Sequence, residues 1–172
     1  MNFAKKFFMD WIIPILVAFV IAALINKFLF FNIVVPTGSM YPTIKPGDRI
    51  VVTRIHNVNS LKRGDIVVFY SNELSDTLIK RLIGLPKDVV DIREDGSVYV
   101  NGTKLDEPYI MNNGGKTGKY TVPEGQYFFL GDNRSNSKDS RYWEKSSFIA
   151  AKDIKGKGRF IMFPFSRFGA LK

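Results

Sequence analysis

Three short segments hold side chains that could do chemistry together. The first is Pro36-Thr37-Gly38-Ser39-Met40-Tyr41-Pro42-Thr43, a serine beside a glycine between two prolines. That composition describes a fixed, exposed turn presenting a hydroxyl. A serine attacks a carbonyl only when a neighbouring base takes its proton. The single histidine, His56, sits in His56-Asn57-Val58-Asn59, which reads as a solvated loop after a strand. Nothing local builds a Ser-His-Asp arrangement around it.

The second segment, Leu78-Ile79-Lys80-Arg81-Leu82-Ile83-Gly84, offers a different base. In a strand, Lys80 shares a face with Leu78 and Leu82, and Arg81 shares one with Ile79 and Ile83. An ammonium on an apolar face loses hydration, and its pKa falls. A fall from about 10.4 to about 7.5 corresponds to roughly 4 kcal/mol, within the range open to a buried lysine. A neutral amine can then accept the serine proton. Taken singly, both segments have plainer explanations: Ser39 as part of a linker, Lys80 as a charged guard on a sheet edge.

The third segment is Gly131-Asp132-Asn133-Arg134-Ser135-Asn136-Ser137-Lys138-Asp139-Ser140-Arg141. Asp132, Asp139, Arg134 and Arg141 can satisfy one another as ion pairs, and the serines can hydrogen-bond an amine. Such a network is able to position a neutral lysine. Its D-x-N-x-S start resembles a calcium loop, but no glutamate closes it at the required spacing, and no metal is expected.

The elements that must position these segments are mostly strands. Runs rich in Val, Ile, Phe and Tyr, bounded by turn residues, are expected over 32–35, 49–55, 65–70, 78–84, 89–93, 97–100, 103–105, 127–130 and 159–163. Glu94-Asp95-Gly96 and Asn101-Gly102 suit tight hairpins. The only helical pattern in this part of the chain falls around 143–150. Residues 112–119, rich in Gly, Asn and Lys, are expected to form a mobile loop. The fold class is therefore mainly β: an antiparallel β domain over 32–172, with a hairpin-based lobe inserted at about 88–126.

Ahead of it, residues 7–31 are almost wholly apolar, long enough to cross a bilayer. Bulky residues over 25–31 offer no small-residue exit site for a cleaved leader, so residues 1–31 are expected to be a cytoplasmic N-terminus and a permanent single-pass anchor. Lys5 and Lys6 precede the span and put the N-terminus in the cytoplasm, with the β domain on the outer face. The absence of cysteine excludes disulfides, thiolate nucleophiles and cysteine-ligated metal. The net charge is +9, and residues 152–172 hold six basic side chains against Asp153 alone. An anionic partner is implied, lipid or nucleic acid. Phe160 to Phe168, with basic residues interleaved, suits either core or membrane interface.

Together these features resemble the type I signal peptidases. The resemblance rests on the 36–43 segment, on Gly64-Asp65-Ile66-Val67-Val68-Phe69, on Lys80-Arg81-Leu82-Ile83-Gly84 and on the 131–141 segment. Their order, the anchor just upstream of the serine, and Gly156-Lys157-Gly158-Arg159 with Phe163-Pro164 near the end agree with it. It covers nearly the whole chain and is closer to the single-span, Gram-positive-like form. Lys87 departs from it, standing where the family commonly has glycine.

The resemblance implies a membrane-bound serine endopeptidase with a Ser/Lys dyad. It makes Ser39 the nucleophile and Lys80 the general base. Thr37 and the Ser39 backbone N–H would form an oxyanion hole. Ser137 would hydrogen-bond the Lys80 amine, and Asp139 and Arg141 would form the supporting ion pair, with Asp132 and Arg134 nearby. Shallow pockets for small side chains would fall on Ile33, Val35, Met40 and Ile79, giving cleavage after Ala-x-Ala-type sites. The implied partners are exported preproteins with their signal peptides, the phospholipid membrane and nearby export machinery, with no nucleic acid and no cofactor. Two rival readings compete with this one. A self-cleaving repressor protease shares the chemistry but needs a DNA-binding domain, which this chain lacks. A tethered β-barrel binding protein would need no convergence of Ser39 and Lys80.

Overall fold

The computed structural model describes residues 6–171; Lys5, one of the two basic residues ahead of the span, and Lys172 lie outside them. The chain divides into two compact units, Met1–Phe31 and Asn32–Lys172. In the first, a π-helical turn Phe8–Ile12 leads into helix α1, Ile13–Phe28, with Pro14 in its first turn. A proline has no N–H to continue the bonding of the preceding turn, and the π-helical turn lies directly ahead of it. The stretch Phe8–Ile25 is long and apolar enough to cross a membrane. Its large side chains are exposed, Phe19 at 72% and Trp11 at 63%, and they cover all sides of the helix.

The second unit is antiparallel β. Its strands are β1 (Phe30–Val34, whose first two residues close the first unit), β2 (Arg49–Arg54), β3 (Ile66–Ser71), β4 (Asp76–Gly84), β5 (Val89–Ile92) and β6 (Val98–Val100). They continue as β7 (Thr103–Lys104), β8 (Gly118–Thr121), β9 (Gln126–Leu130), β10 (Ile149–Ala150), β11 (Ile154–Phe163) and β12 (Gly169–Ala170). The larger sheet runs β1-β2-β11-β3-β4-β9-β10, with β12 on β11; the smaller runs β7-β6-β5-β8.

Strands β4 and β9 are buried on both faces, and alternation divides their side chains between two cores. Leu82 and Phe129 join Val67, Phe69, Leu61 and Trp143 in one. Ile83, Phe128 and Leu130 join Val90, Val98, Val100 and Val122 of the lobe in the other. Gly84 marks the handover. A Cβ there would come within 2.8 Å of both Val90 and Val122, so only glycine lets β4 pass so close to the lobe.

The structure corrects three sequence expectations. Residues 143–150 form no helix. The Glu73 carboxylate accepts the backbone N–H groups of Glu144 and Lys145, which holds that stretch in turns before β10. Residues 112–119 are not a loose loop. Gly118 and Lys119 belong to β8, and Arg141 and the Tyr142 hydroxyl bond the backbone of Gly114 and Lys116. Finally, β11 starts at Ile154 rather than 159. Its Lys-Gly repeat hides the strand in the sequence, but Gly156 and Gly158 are buried positions of the ladder. Of the C-terminal aromatics, Phe163, Phe165 and Phe168 are exposed.

Lys87 takes a left-handed backbone, φ 72°. The turn keeps the conformation that suits glycine although lysine occupies it.

Candidate active site

The turn of residues 36–43 and strand β4 bring Ser39 and Lys80 together across 41 residues: Lys80 Nζ lies 2.5 Å from Ser39 Oγ. Neither is exposed, at 7% and 4%, so the turn presents its hydroxyl to a buried amine rather than to bulk water. The alternation of β4 accounts for Lys80. It sits in register with Val67 on β3, beside strand-mates buried from Ile79 onward. Burial pushes its pKa from 10.5 down to about 8, outweighing the pull of Asp139 and Asp132 towards the charged form. The Thr37 hydroxyl approaches Ser39 Oγ at 3.4 Å. His56 is exposed, outside this constellation.

The Ser39 turn is held from several sides. Tyr41 N–H bonds Gly38 O, and Ile44 N–H bonds Met40 O. Asn133 donates its backbone N–H to Ser39 O and its side-chain amide to Gly38 O. Gly38 itself has ample room, with the nearest atom to an added Cβ 4.0 Å away. Gly131 is the glycine the geometry demands. A Cβ there would stand 2.5 Å from both Ser137 Cβ and Ser39 O.

Asp132, Arg134, Asp139 and Arg141 are buried, but the four do not pair only among themselves. Only Asp139 and Arg141 bind each other, through two hydrogen bonds of 2.8 and 2.9 Å. Asp132 instead takes the fork of Arg81, at 2.8 and 2.7 Å, and the Thr43 hydroxyl at 2.5 Å. Arg134 pairs with Glu107. Ser137 donates no hydrogen bond to Lys80. Among the described residues its Oγ is buried without a hydrogen-bond partner, packed over Gly131.

A cleft of about 280 Å³ opens beside the pair. Ile33, Val35 and Ile79 line it together with Thr37, Ser39 and Lys80, and it continues along β4 to Thr77 and Asp76. Met40 does not line it; the side chain is fully buried beneath the turn. Sequence reading missed the structural roles of Thr43, Gly131, Asn133, Glu107 and Tyr109. The one available signal was Arg81. An arginine among apolar neighbours in a buried strand needs a carboxylate partner.

A polar hydroxyl touching a buried amine whose pKa is lowered by burial, with an apolar cleft alongside, suits acyl transfer. A family model described as signal peptidase, peptidase S26, matches residues 8–163. Signal peptidase I of Bacillus licheniformis is 39% identical over 94% of this chain and 92% of its own. Signal peptidase I T of Bacillus subtilis (strain 168) is 39% identical over 92% of this chain and 87% of its own. Signal peptidase IB of Staphylococcus aureus (strain Mu50 / ATCC 700699) is 39% identical over 95% and 94%. A crystal structure of a signal peptidase I from Enterococcus faecalis V583 is 35% identical, with a TM-score of 0.49 over 59% of this chain and 98% of that one. With a family model covering most of its length and several relatives at this identity, the chain belongs to the signal peptidase family, peptidase S26.

Proposed function

We propose that the protein removes signal peptides from exported preproteins by acyl transfer through Ser39, with neutral Lys80 as general base. The observation that carries this reading is the buried contact between Lys80 Nζ and Ser39 Oγ. Lys80 takes the hydroxyl proton as Oγ attacks the scissile carbonyl. The Ser39 N–H and the Thr37 hydroxyl stabilise the oxyanion. Collapse of the tetrahedral intermediate breaks the C–N bond, and the Lys80 ammonium protonates the departing amine. Lys80 then activates the water that releases the acyl group.

The signal peptide lies extended in the cleft between residues 33–37 and β4, where main-chain bonding to strand edges supplies affinity. Ile33, Val35 and Ile79 narrow the cleft near Ser39, which favours small residues before the scissile bond, as in Ala-x-Ala. Met40 supports the turn from below. Asp139 with Arg141, and Asp132 with Arg81, form the rigid polar frame. The apolar segment Phe8–Ile25 spans the membrane once, with the N-terminus cytoplasmic and the β unit on the outer face near the export machinery. Exposed Phe163, Phe165 and Phe168, among basic residues, suit contact with anionic phospholipid.

The test is cleavage of a purified preprotein by full-length protein in detergent. Ser39→Ala and Lys80→Ala are each expected to abolish product while leaving thermal unfolding cooperative. Full activity in either folded variant rejects the dyad.

A further inference from the structure

Between β7 and β8, residues 107–112 leave the small lobe and lie across the catalytic frame. Glu107, with its side chain 5% exposed, pairs with Arg134 at 2%. It also accepts the Tyr109 hydroxyl at 2.8 Å. The Tyr109 ring lies on the Arg81 guanidinium, 3.7 Å from its centre. The backbone then joins the polar segment: Met111 N–H bonds Asp132 O, Arg134 N–H bonds Met111 O, and Ser135 N–H bonds Asn112 O. The Asn112 amide reaches Asn133 Oδ1 at 3.1 Å.

Three of these partners, Arg81, Asp132 and Asn133, are close neighbours of the reacting groups. Arg81 follows Lys80 on β4 and forks Asp132, which holds the Thr43 hydroxyl of the serine turn. Asn133 holds the carbonyls of Ser39 and Gly38. Arg81 is gripped on its edge by Asp132 and by Gly64 O, and on its face by Tyr109. A planar guanidinium so held has little freedom to rotate. One arm of the strap therefore fixes the strand that carries the base, and the other fixes the turn that carries the nucleophile. A displacement of about 1 Å between reacting groups costs on the order of a hundredfold in rate.

We propose that Tyr109 is a positioning residue of the hydrolytic reaction, and that the 107–112 strap holds the Lys80 strand and the Ser39 turn in register as well as closing the small lobe. The proposal rests on the Ser39–Lys80 reading of the site. Tyr109 touches no reacting atom. It acts through Arg81, as Asn112 acts through Asn133.

The experiment compares wild type, Tyr109→Phe, Tyr109→Leu, Asn112→Gly and Ser39→Ala as full-length proteins in detergent on one preprotein. Thermal unfolding establishes the folded fraction. Tyr109→Leu is expected to lower kcat by about tenfold or more per folded molecule, with KM within about twofold. Tyr109→Phe keeps the ring on Arg81 and is expected to retain kcat within about threefold. Asn112 has φ 51°, which glycine adopts freely. Asn112→Gly thus removes the amide without straining the turn, and it serves if Tyr109→Leu does not fold; its expected loss is also in kcat. Wild-type kcat in Tyr109→Leu, or in Asn112→Gly where Tyr109→Leu is unfolded, overturns the proposal. So do losses confined to KM, and so do equal losses in the Phe and Leu variants. An inactive Ser39→Ala beside a fully active Tyr109→Leu rejects the strap alone, whereas an active Ser39→Ala rejects the dyad beneath it.

Discussion

Replacing Lys80 with methionine should inactivate the protein and, at neutral pH, make it more stable. Lys80 is 4% exposed, and its pKa is lowered from 10.5 to about 8, burial being the main cause. Between those values the folded protein binds fewer protons than the unfolded chain, so the stability of the wild type rises with pH across that window. Below pH 8 the fold carries the full penalty, about 3 kcal/mol. Methionine is close in volume and has no charge to desolvate. It forfeits the hydrogen bond to Ser39 Oγ, worth about 1 kcal/mol. Lys80→Met is therefore expected to gain about 2 kcal/mol at pH 7 and to lose about 1 kcal/mol above pH 10.5. The measurement is urea unfolding of both full-length proteins in non-ionic detergent from pH 6 to above 10.5, followed by tryptophan fluorescence. Trp143, in the main core, reports on the β unit. Other titrating groups cancel in the difference between the two proteins. A difference that stays constant from pH 8 to 10.5, or a variant less stable than wild type at pH 7, would falsify the reasoning.

Two further outcomes follow from the same geometry. Because only the neutral amine can act as base, kcat/KM should fall on the acid side with a midpoint near the Lys80 value of about 8. About one-tenth of the activity should remain at pH 7 and one-hundredth at pH 6; a rate flat from pH 9 to pH 5 contradicts a lysine base. Lys87→Gly relieves the left-handed backbone at φ 72°. It gives up only an exposed ion pair with Glu124, of little worth in water. It should stabilise the fold by about 0.5–1 kcal/mol with activity unchanged, and a lower unfolding midpoint speaks against the strain.

Local pattern was enough to read the strands and to place Lys80 among apolar neighbours, because alternation along β4 is a local property. Pairing among the buried charges was not legible. Asp132, Arg134, Asp139 and Arg141 lie within ten residues of one another and read as a self-contained network. Yet Asp132 bonds an arginine 51 positions away, and Arg134 bonds a glutamate 27 away. A buried charge takes the partner that the fold delivers, and nothing in the local spacing encodes that choice. The same limit explains 143–150, where a distant carboxylate, Glu73, takes the backbone donors that a helix would have used. It also explains the importance of Gly131 over Gly38. Composition shows two glycines beside two functional segments, but only the packed chain shows which of them has another backbone against it.

The frame around Lys80 raises a physical question. Three buried arginine–carboxylate pairs crowd the site: Arg81–Asp132, Arg134–Glu107 and Arg141–Asp139. Such pairs seldom add stability over apolar side chains of equal size. An apolar frame would lower the lysine's pKa as well or better, but it has no directional bonds with which to fix a turn and a strand relative to each other. Bare carboxylates would supply the bonds while holding the amine in its charged form, since Asp139 and Asp132 both pull that way. A carboxylate already forked by an arginine gives the bonds with much of its field cancelled. Burial then prevails, and Lys80 loses its proton near pH 8 while its position stays fixed. On this argument the pairs are present for geometry and for electrical neutrality rather than for stability. The arginines of the polar frame are as much a condition of the lysine's basicity as the apolar strand that carries it.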